Sequence, residues 1–351
     1  MLILATDGDA SIASLRRRVF QLPQADTDYM PLFPPRKTDT AAQTGPAVQM
    51  YQITTEQEGQ RLDNFLLRLC KGVPKSHLYK AIRSGQVRVN KGRIGADYRL
   101  SAGDQVRVPP LRLPDPGKSV PVPAANFPVV YEDAALLVID KPAGVAVHGG
   151  SGVSFGVIEQ LRAARPGETL ELAHRLDRET SGLLIVARKR SALVALHQMM
   201  REGAMRKRYL ALVVGNWPND RQHLRQPLYK FLTASGERRV RVDPQGKPAH
   251  TIVTIERRFG DYSLVQAELR TGRTHQIRVH LAAGGHPIVG DEKYGIDAVR
   301  TAFAAQGLRR MFLHAGSLEF VHPLSGQTLA LHAELPADCA RILAGLESTH
   351  S

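Results

Sequence analysis

A charged run at residues 174–182 joins two apolar segments, and the aspartate at its centre is a side chain that could do chemistry. The run reads His-Arg-Leu-Asp-Arg-Glu-Thr-Ser-Gly and lies between residues 170–173 and 183–187. A carboxylate such as Asp177 can act as a nucleophile or as a general base. With Glu179 it could also form a carboxylate pair of the kind that hydrolyses glycosidic bonds. A surface turn held by local ion pairs explains the same composition equally well.

A second cluster of polar side chains, at residues 271–280, follows a strand-like segment. It reads Thr-Gly-Arg-Thr-His-Gln-Ile-Arg-Val-His. The pattern predicts a helix that packs Ile277 and Leu281 inward. Arg278, in the first turns of that helix, could then reach a neighbouring carboxylate.

Two histidines and a tyrosine are further candidates. His275 and His280 are five residues apart, a spacing that does not place them on one helix face, so we expect no metal site. A supporting role in hydrogen bonding is the better interpretation for both. Tyr209 lies in an apolar, strand-like segment directly after two cations. An isolated tyrosine in such a segment is usually a half-buried strand residue.

These candidate groups must be positioned by a large C-terminal domain, which we place at residues 127–351. Apolar β-type segments alternate there with helical patterns, and strands dominate. The pattern predicts an α+β domain built on a mixed, mostly antiparallel sheet. One helix is expected over residues 191–202, beginning after a cap at Ser191 and ending at Gly203.

A smaller module is expected at residues 51–108. An apolar stripe at helical spacing and two short alternating segments, 86–89 and 105–108, predict two helices followed by strands. Residues 59–108 carry eleven Lys and Arg against three Asp, a difference of +8. Such a concentration indicates a nucleic-acid surface. The cations that we expect to contact RNA are Lys75, Lys80, Arg83, Arg88, Lys91 and Arg93.

The remaining segments and the composition limit the class of protein. Residues 1–50 are expected to be a flexible extension, and the proline-rich residues 109–126 a linker. Lys and Arg total 47 and Asp and Glu total 33, so the formal net charge of +14 favours a polyanionic partner. Cys70 and Cys339 are the two cysteines, and no CxxC pair occurs, which favours a reducing cytoplasm. No apolar run is long enough to cross a bilayer.

Several of these blocks together resemble the RNA pseudouridine synthases related to the ribosomal large subunit enzymes. The run around Asp177 is similar to the signature of that family, and residues 270–295 resemble its second long block. The segment Phe-Leu-His-Ala at 312–315 resembles a third block. The module at 59–108 is similar to an S4 RNA-binding domain, which many of these enzymes carry at the N-terminus.

The resemblance implies an activity and a role for each matching residue. Asp177 would be the essential carboxylate and Arg278 its partner. Tyr209 would lie against the uracil and help to move its C5 proton, and Leu313 would pack near that ring. Arg175 would fill the space that a flipped base leaves. The implied protein is a cytoplasmic monomer that needs no cofactor and acts on 23S ribosomal RNA or a large-subunit assembly intermediate. A non-catalytic rRNA-binding assembly protein is the alternative, although it gives no reason for Asp177, Tyr209 and Arg278 to occur together.

Overall fold

The computed structural model describes residues 48–70, 73, 75–110, 121–149 and 153–350. The expected extension at 1–50 therefore falls mostly outside the described residues, and so does the middle of the expected linker, at 111–120. None of the helices in the described part of the chain is both long and apolar enough to span a membrane.

The N-terminal module consists of two helices packed on a three-stranded antiparallel sheet. Its elements are β1 (Gln49–Gln52), α1 (Leu62–Leu69), α2 (Lys75–Arg83), β2 (Arg88–Val89) and β3 (Gln105–Val108), with the strand order β1-β3-β2. Leu62, Phe65 and Leu66 are buried on the inner side of α1, as the apolar stripe predicts. The module has a hydrophobic core of its own, so its cations are free to occupy its surface.

A ten-stranded mixed sheet forms the centre of the C-terminal domain. Its strands are β4 (Val129–Glu132), β5 (Leu136–Lys141), β6 (Glu171–Leu172), β7 (Ser181–Ala187), β8 (Arg206–Val214), β9 (Arg221–Leu224), β12 (Thr251–Phe259), β13 (Tyr262–Leu269), β14 (Leu313–Val321) and β15 (Thr328–His332). Eight of them follow the order β4-β5-β7-β14-β8-β13-β12-β9, while β15 pairs with β14 and β6 with β7. A separate hairpin, β10 (Leu228–Leu232) and β11 (Arg238–Val242), is inserted between β9 and β12.

Helices cover both faces of this sheet. They are α3 (Val157–Ala164), α4 (Arg190–Glu202), α5 (Gln276–Ala283), α6 (Asp297–Ala305) and α7 (Ala337–His350). Successive side chains of β5 alternate between the two cores: Leu137 and Ile139 pack in the larger core, and Leu136 and Val138 pack with α4. This alternation is what a strand buried on both faces requires. The predicted mixed, mostly antiparallel α+β domain is confirmed.

Within the described residues, the one parallel strand pair joins β7 to β14. Ser181 lies opposite His314, and Gly182 lies opposite Ala315. Gly182 has φ of 108°, and a Cβ atom there would lie 2.4 Å from the carbonyl oxygen of Ala315. Glycine is therefore needed at this position for the two strands to approach. The pair brings the loop before β7 next to the start of β14.

Two sequence expectations need correction. Gly203 ends α4 in the left-handed conformation as expected, but the helix begins at Arg190, so Ser191 is inside the helix and does not cap it. The first strand, β1, extends across the boundary that we expected at residue 50 and pairs with β3. Backbone hydrogen bonds join β1 to β3, and no periodic pattern of side chains in the sequence predicts this pairing.

Candidate active site

Asp177 lies in the loop between β6 and β7, with its side chain 19% exposed. The backbone N–H of Thr180 donates to the carbonyl oxygen of Asp177 at 3.1 Å, which closes a tight turn. The N–H of Gly144 donates to the carbonyl oxygen of Arg178 at 2.9 Å. The loop is thus held at the aspartate and at the residue after it, and the carboxylate faces a cavity.

Lys141 supports this loop from behind. Its ammonium group is fully buried and donates to the carbonyl oxygens of Pro142 (2.7 Å), Val145 (2.9 Å) and Arg178 (3.1 Å). Burial lowers the pKa of Lys141 to about 8, although the charges of Glu179 and Asp177 oppose the shift. A lysine buried in this way connects β5 to the loop that carries the aspartate.

Arg278 is the cation that contacts Asp177. Its Nη1 donates to Oδ2 of Asp177 at 3.0 Å, while Nε and Nη2 donate to the two carboxylate oxygens of Asp291 at 2.7 Å each. The Asp291 side chain is fully buried and also accepts the backbone N–H of Lys293 at 2.8 Å. Burial alone would lower the pKa of Arg278, but the hydrogen bonds and charge of Asp291 outweigh it, and the pKa is raised. Asp291 therefore orients the guanidinium that meets Asp177.

His275 and Tyr294 form a second contact around the same carboxylate. Nε2 of His275 lies 3.9 Å from Oδ2 of Asp177, and Nδ1 lies 2.8 Å from the hydroxyl of Tyr294. That hydroxyl also accepts the backbone N–H of Val240, on β11, at 3.0 Å. The Arg278 guanidinium lies 5.1 Å above the Tyr294 ring, a cation–π distance. Tyr294 thus holds both side chains that contact Asp177.

Tyr209 and Leu313 form the opposite, less polar wall. They come from adjacent strands, β8 and β14, and are 6% and 4% exposed. Burial, and to a lesser extent the charge of Asp177, raises the pKa of Tyr209, so its hydroxyl stays protonated at neutral pH. An aromatic and an aliphatic side chain opposite a carboxylate suit a flat, partly apolar ring.

Two adjoining cavities meet at the aspartate. The smaller, of about 70 Å³, is lined by Tyr209 and Leu313. The larger, of about 420 Å³, extends toward Glu237 and Lys293 and has the size of a ligand pocket. The side chains that line both are Arg175, Asp177, His275 and Arg278.

The structure brings together the five residues that the sequence suggested for the C-terminal domain. All five, Arg175, Asp177, Tyr209, Arg278 and Leu313, line the smaller cavity. Glu179 also lines the larger cavity, where Arg178 pairs with it at 2.8 Å. The six cations of the N-terminal module belong to a different surface, and every one of them is exposed.

Sequence reasoning missed Asp291 and Lys141 and gave His275 only a supporting role. Asp291 lies in the Gly-Asp-Glu-Lys-Tyr-Gly segment at 290–295, inside the second block that resembles the family. Lys141 precedes a proline and ends an apolar strand, and a cation in that position was the available signal. His280, by contrast, is fully buried and hydrogen-bonded to Thr251 and to the carbonyl oxygen of Gln226, so its role is structural.

Comparison with known families matches both parts of the chain. Residues 135–283 match the model of the RNA pseudouridylate synthase family, and residues 60–106 match the S4 domain. The first range contains Asp177, Tyr209 and Arg278, and the second contains the six module cations.

Whole-chain relatives agree with these matches. The ribosomal large subunit pseudouridine synthase C of Pasteurella multocida is 50% identical over 87% of this chain and 96% of its own length. The protein of the same name from Escherichia coli K12 is 48% identical over 89% of this chain and 99% of its own length. Among solved structures, human RNA pseudouridylate synthase domain containing 1 superposes with a TM-score of 0.50 at 28% identity, covering 64% of this chain and 95% of its own.

Proposed function

Because the chain belongs to the RNA pseudouridylate synthase family, we propose that it converts uridines of large-subunit ribosomal RNA to pseudouridine. The observation that carries the proposal is the Asp177 carboxylate, held by Arg278 at 3.0 Å in a cavity whose other wall is Tyr209 and Leu313. A carboxylate beside a partly apolar slot suits a reaction that detaches a uracil ring and keeps it.

The reaction is an isomerisation. The atoms of substrate and product are the same, so side chains of the protein are sufficient to catalyse it. The bond between N1 of uracil and C1′ of ribose breaks, and a bond between C5 and C1′ forms. One proton leaves C5 and one is gained by N1, so no electrons and no outside group are exchanged. Asp177 starts the reaction by attacking the ribose, by attacking the uracil ring, or by removing the 2′ proton; the three routes share the same carboxylate.

The neighbouring side chains have complementary roles. Arg278 holds the Asp177 carboxylate in place, and Tyr209 and Leu313 contact the uracil while it turns, since a π-face tolerates rotation better than directional hydrogen bonds do. The target base must leave its stack, at a cost of a few kcal/mol. Arg175, exposed at the rim of both cavities, fills the vacated space, because a planar guanidinium can stack on the remaining bases.

Two surfaces bind the RNA outside the cavities. The module that we assign to residues 51–108 contributes its six exposed cations, whose affinity for phosphates depends on salt. The hairpin β10–β11 is attached to the larger cavity where Arg239 donates to the carbonyl oxygen of Lys293 at 3.0 Å. On this hairpin the Arg241 guanidinium lies 5.6 Å from the Tyr229 ring and 5.2 Å from the Phe231 ring. Because Arg241 also pairs with Asp243 at 2.8 Å, the hairpin offers aromatic rings to unpaired bases rather than a free cation to phosphates.

The finer assignments are part of the same proposal. The substrate is 23S ribosomal RNA or a large-subunit assembly intermediate, and the protein acts as a cytoplasmic monomer without a cofactor. Residues 109–126 connect the RNA-binding module to a catalytic domain at 127–351, and the extension that we placed at residues 1–50 ends within β1 of the module.

The test incubates purified protein with an unmodified large-subunit rRNA transcript and maps pseudouridine by carbodiimide treatment or mass spectrometry. Wild type should form pseudouridine at defined uridines, and Asp177→Asn should form none while binding the RNA with unchanged affinity. Asp220→Asn, the same change on a side chain that is 92% exposed, is the matched control and should retain activity.

The alternatives give different results in this assay. Binding by wild type without any new pseudouridine would support a non-catalytic assembly protein. Free uracil in the supernatant would identify a glycosidase that uses Asp177 and Glu179. Normal turnover by Asp177→Asn would show that another group performs the chemistry.

A further inference from the structure

The smaller cavity lies between the starts of two strands, and its width depends on how these strands are held together. The loop that carries the catalytic aspartate ends at Thr180, and β14 begins at Leu313; both residues line the cavity. The parallel ladder that joins β7 to β14 is short, and in it Ser181 lies opposite His314. So short a ladder leaves the distance between the two walls dependent on side chains.

Ser181 and His314 also meet through their side chains, which are both buried. Oγ of Ser181 lies 2.9 Å from Nδ1 of His314, and Nε2 of His314 lies 3.1 Å from the carbonyl oxygen of Ala333. Burial lowers the pKa of His314, so the ring is neutral at pH 7 and carries one proton. That proton is on Nε2, because a carbonyl oxygen can only accept. Nδ1 is then an acceptor, and the hydroxyl of Ser181 donates to it.

Arg310 fixes the other side of the serine hydroxyl. Its Nη1 donates to Oγ of Ser181 at 3.1 Å, while Nε and Nη2 donate to the two carboxylate oxygens of Asp338, on α7, at 2.7 and 3.1 Å. A continuous chain of hydrogen bonds therefore runs from α7 through Arg310 and Ser181 to His314. Buried networks whose members are all satisfied hold the groups around them in one arrangement.

The place of this chain in the fold distinguishes it from a similar pair elsewhere. In the turn between β14 and β15, Oγ of Ser325 also lies 2.9 Å from Nδ1 of a buried histidine, His322, and that contact joins residues three apart in one turn. The contact of Ser181 with His314 joins two strands instead. Each of these two residues directly follows a residue that lines the smaller cavity, so a change in the length of this hydrogen bond moves the two walls apart.

We propose that Ser181 and His314 are positioning residues, which set the width of the slot for the uracil ring and hold the loop of Asp177 at the reacting distance from it. The inference rests on the proposed function. Both side chains are buried, so they act on the substrate through the residues beside them. A wider slot would leave the RNA bound, since the phosphate contacts lie outside it, but a displacement of about 1 Å at a catalytic group lowers turnover about 10²-fold.

The two ring nitrogens of His314 allow its two hydrogen bonds to be broken separately. In His314→Asn the amide oxygen takes the place of Nδ1, so the acceptor for Ser181 is retained and the donor to Ala333 is lost. In His314→Gln the amide N–H takes the place of Nε2–H, and the reverse holds. Ser181→Ala breaks the bond between the strands from its other end. Ser325→Ala breaks the similar pair in the turn and is the matched control.

The assay measures kcat and the KM for an unmodified large-subunit rRNA transcript, and urea denaturation measures the stability of each variant. His314→Gln and Ser181→Ala should lose about 10²-fold in kcat with an unchanged KM. His314→Asn and Ser325→Ala should stay close to wild type. The double variant Ser181→Ala with His314→Gln should be no slower than either single variant, because both changes break the same bond.

A purely structural role predicts a different pattern, in which kcat follows stability and does not depend on which nitrogen of His314 is replaced. Equal kcat in His314→Asn and His314→Gln, or a loss that appears in KM alone, would overturn the assignment while the wild type remains active. A wild-type protein that forms no pseudouridine would overturn the proposed function as well.

Discussion

The N-terminal module and the catalytic cavities hold their charges in opposite ways. In the module, Lys80 and Arg83 are exposed on one helix, and the ion pairs recorded among its described residues use other cations, Arg61 and Arg68. In the cavities, Arg278 is 7% exposed and lies between two carboxylates. The cations of the module remain available to phosphates, whereas Arg278 donates its hydrogen bonds to carboxylates of the protein itself.

This difference separates binding from chemistry in physical terms. An exposed cation loses little hydration in the folded protein and gains salt-dependent affinity when phosphates arrive. A buried ion pair loses hydration on both sides and contributes little net stability, but removing one partner is costly because the other charge is left buried. The Arg278–Asp291 pair is therefore better explained by the position that it gives Asp177 than by the stability that it adds.

The change expected to break this arrangement most severely is Asp291→Asn. It removes the charge that orients Arg278 and does not change the Asp177 side chain itself. We expect the free energy of unfolding to fall by about 3 kcal/mol, as for other buried pairs that lose one partner. Turnover should fall about 10²-fold, since a small displacement of a catalytic group has an effect of that size. Urea denaturation and single-turnover assays measure the two losses.

Asp297→Asn provides the comparison for that variant. Asp297 also pairs with an arginine, Arg300 at 2.9 Å, but its side chain is 87% exposed. Surface pairs of this kind contribute about 0–1 kcal/mol, so both stability and turnover should be close to wild type. Equal losses in the two variants would contradict the distinction between buried and exposed charge.

Lys141→Met tests whether the support behind the catalytic loop is also electrostatic. The variant leaves three carbonyl oxygens without their donor and should cost about 2 kcal/mol. The size of this loss should depend on pH. Because burial lowers the pKa of Lys141 to about 8, the unfolded chain holds a proton between that value and 10.5 that the folded lysine has released.

Raising the pH through that window therefore favours the fold of wild type and not of the variant. The difference in unfolding free energy, wild type minus Lys141→Met, should increase from pH 8 toward 10.5. A difference that stays constant over this window would show that folding does not lower the pKa of Lys141, and one that decreases would show that folding raises it.

The smallest effect is expected in the module. Replacing Lys80 and Arg83 together with glutamine should make the slope of log affinity against log salt less negative by about 1.4 to 1.8, because each phosphate contact contributes about 0.7 to 0.9. Turnover at saturating RNA should not change. Filter binding at salt concentrations from about 50 to about 200 mM gives the slope.

Arg257→Gln with Arg300→Gln is the control, because it removes the same charge from arginines that already pair with Glu347 and Asp297. An equal change of slope in this control would mean that net charge, rather than the module, sets the affinity for RNA.

The sequence predicted those features that depend on local periodicity. The helix α5, with Ile277 and Leu281 buried, and the end of α4 at Gly203 are examples. Each follows from a spacing of three or four residues, or from a glycine that tolerates a left-handed conformation. The mixed sheet was predictable from the alternation of strands and helices.

The remaining features depend on tertiary contacts that no local pattern reports. Asp291 reaches Arg278 because the chain turns back after α5, and Lys141 lies under the loop of Asp177 only after β5 pairs with β7. The left-handed backbone of His275 has no turn signal in the sequence, so no local pattern predicts it. Ser191 failed as a predicted cap because a suitable residue type near a helix start does not fix the boundary.

The parallel contact between β7 and β14 has a consequence for biosynthesis. The loop with Asp177 precedes β7, while Leu313 begins β14, which follows far later in the chain. Contacts between distant segments form late in folding, because the intervening chain must first be ordered. During translation, most of the C-terminal domain is therefore synthesised before Leu313 can complete the less polar wall of the cavity. The growing chain can bind RNA through its early module long before it can act on it.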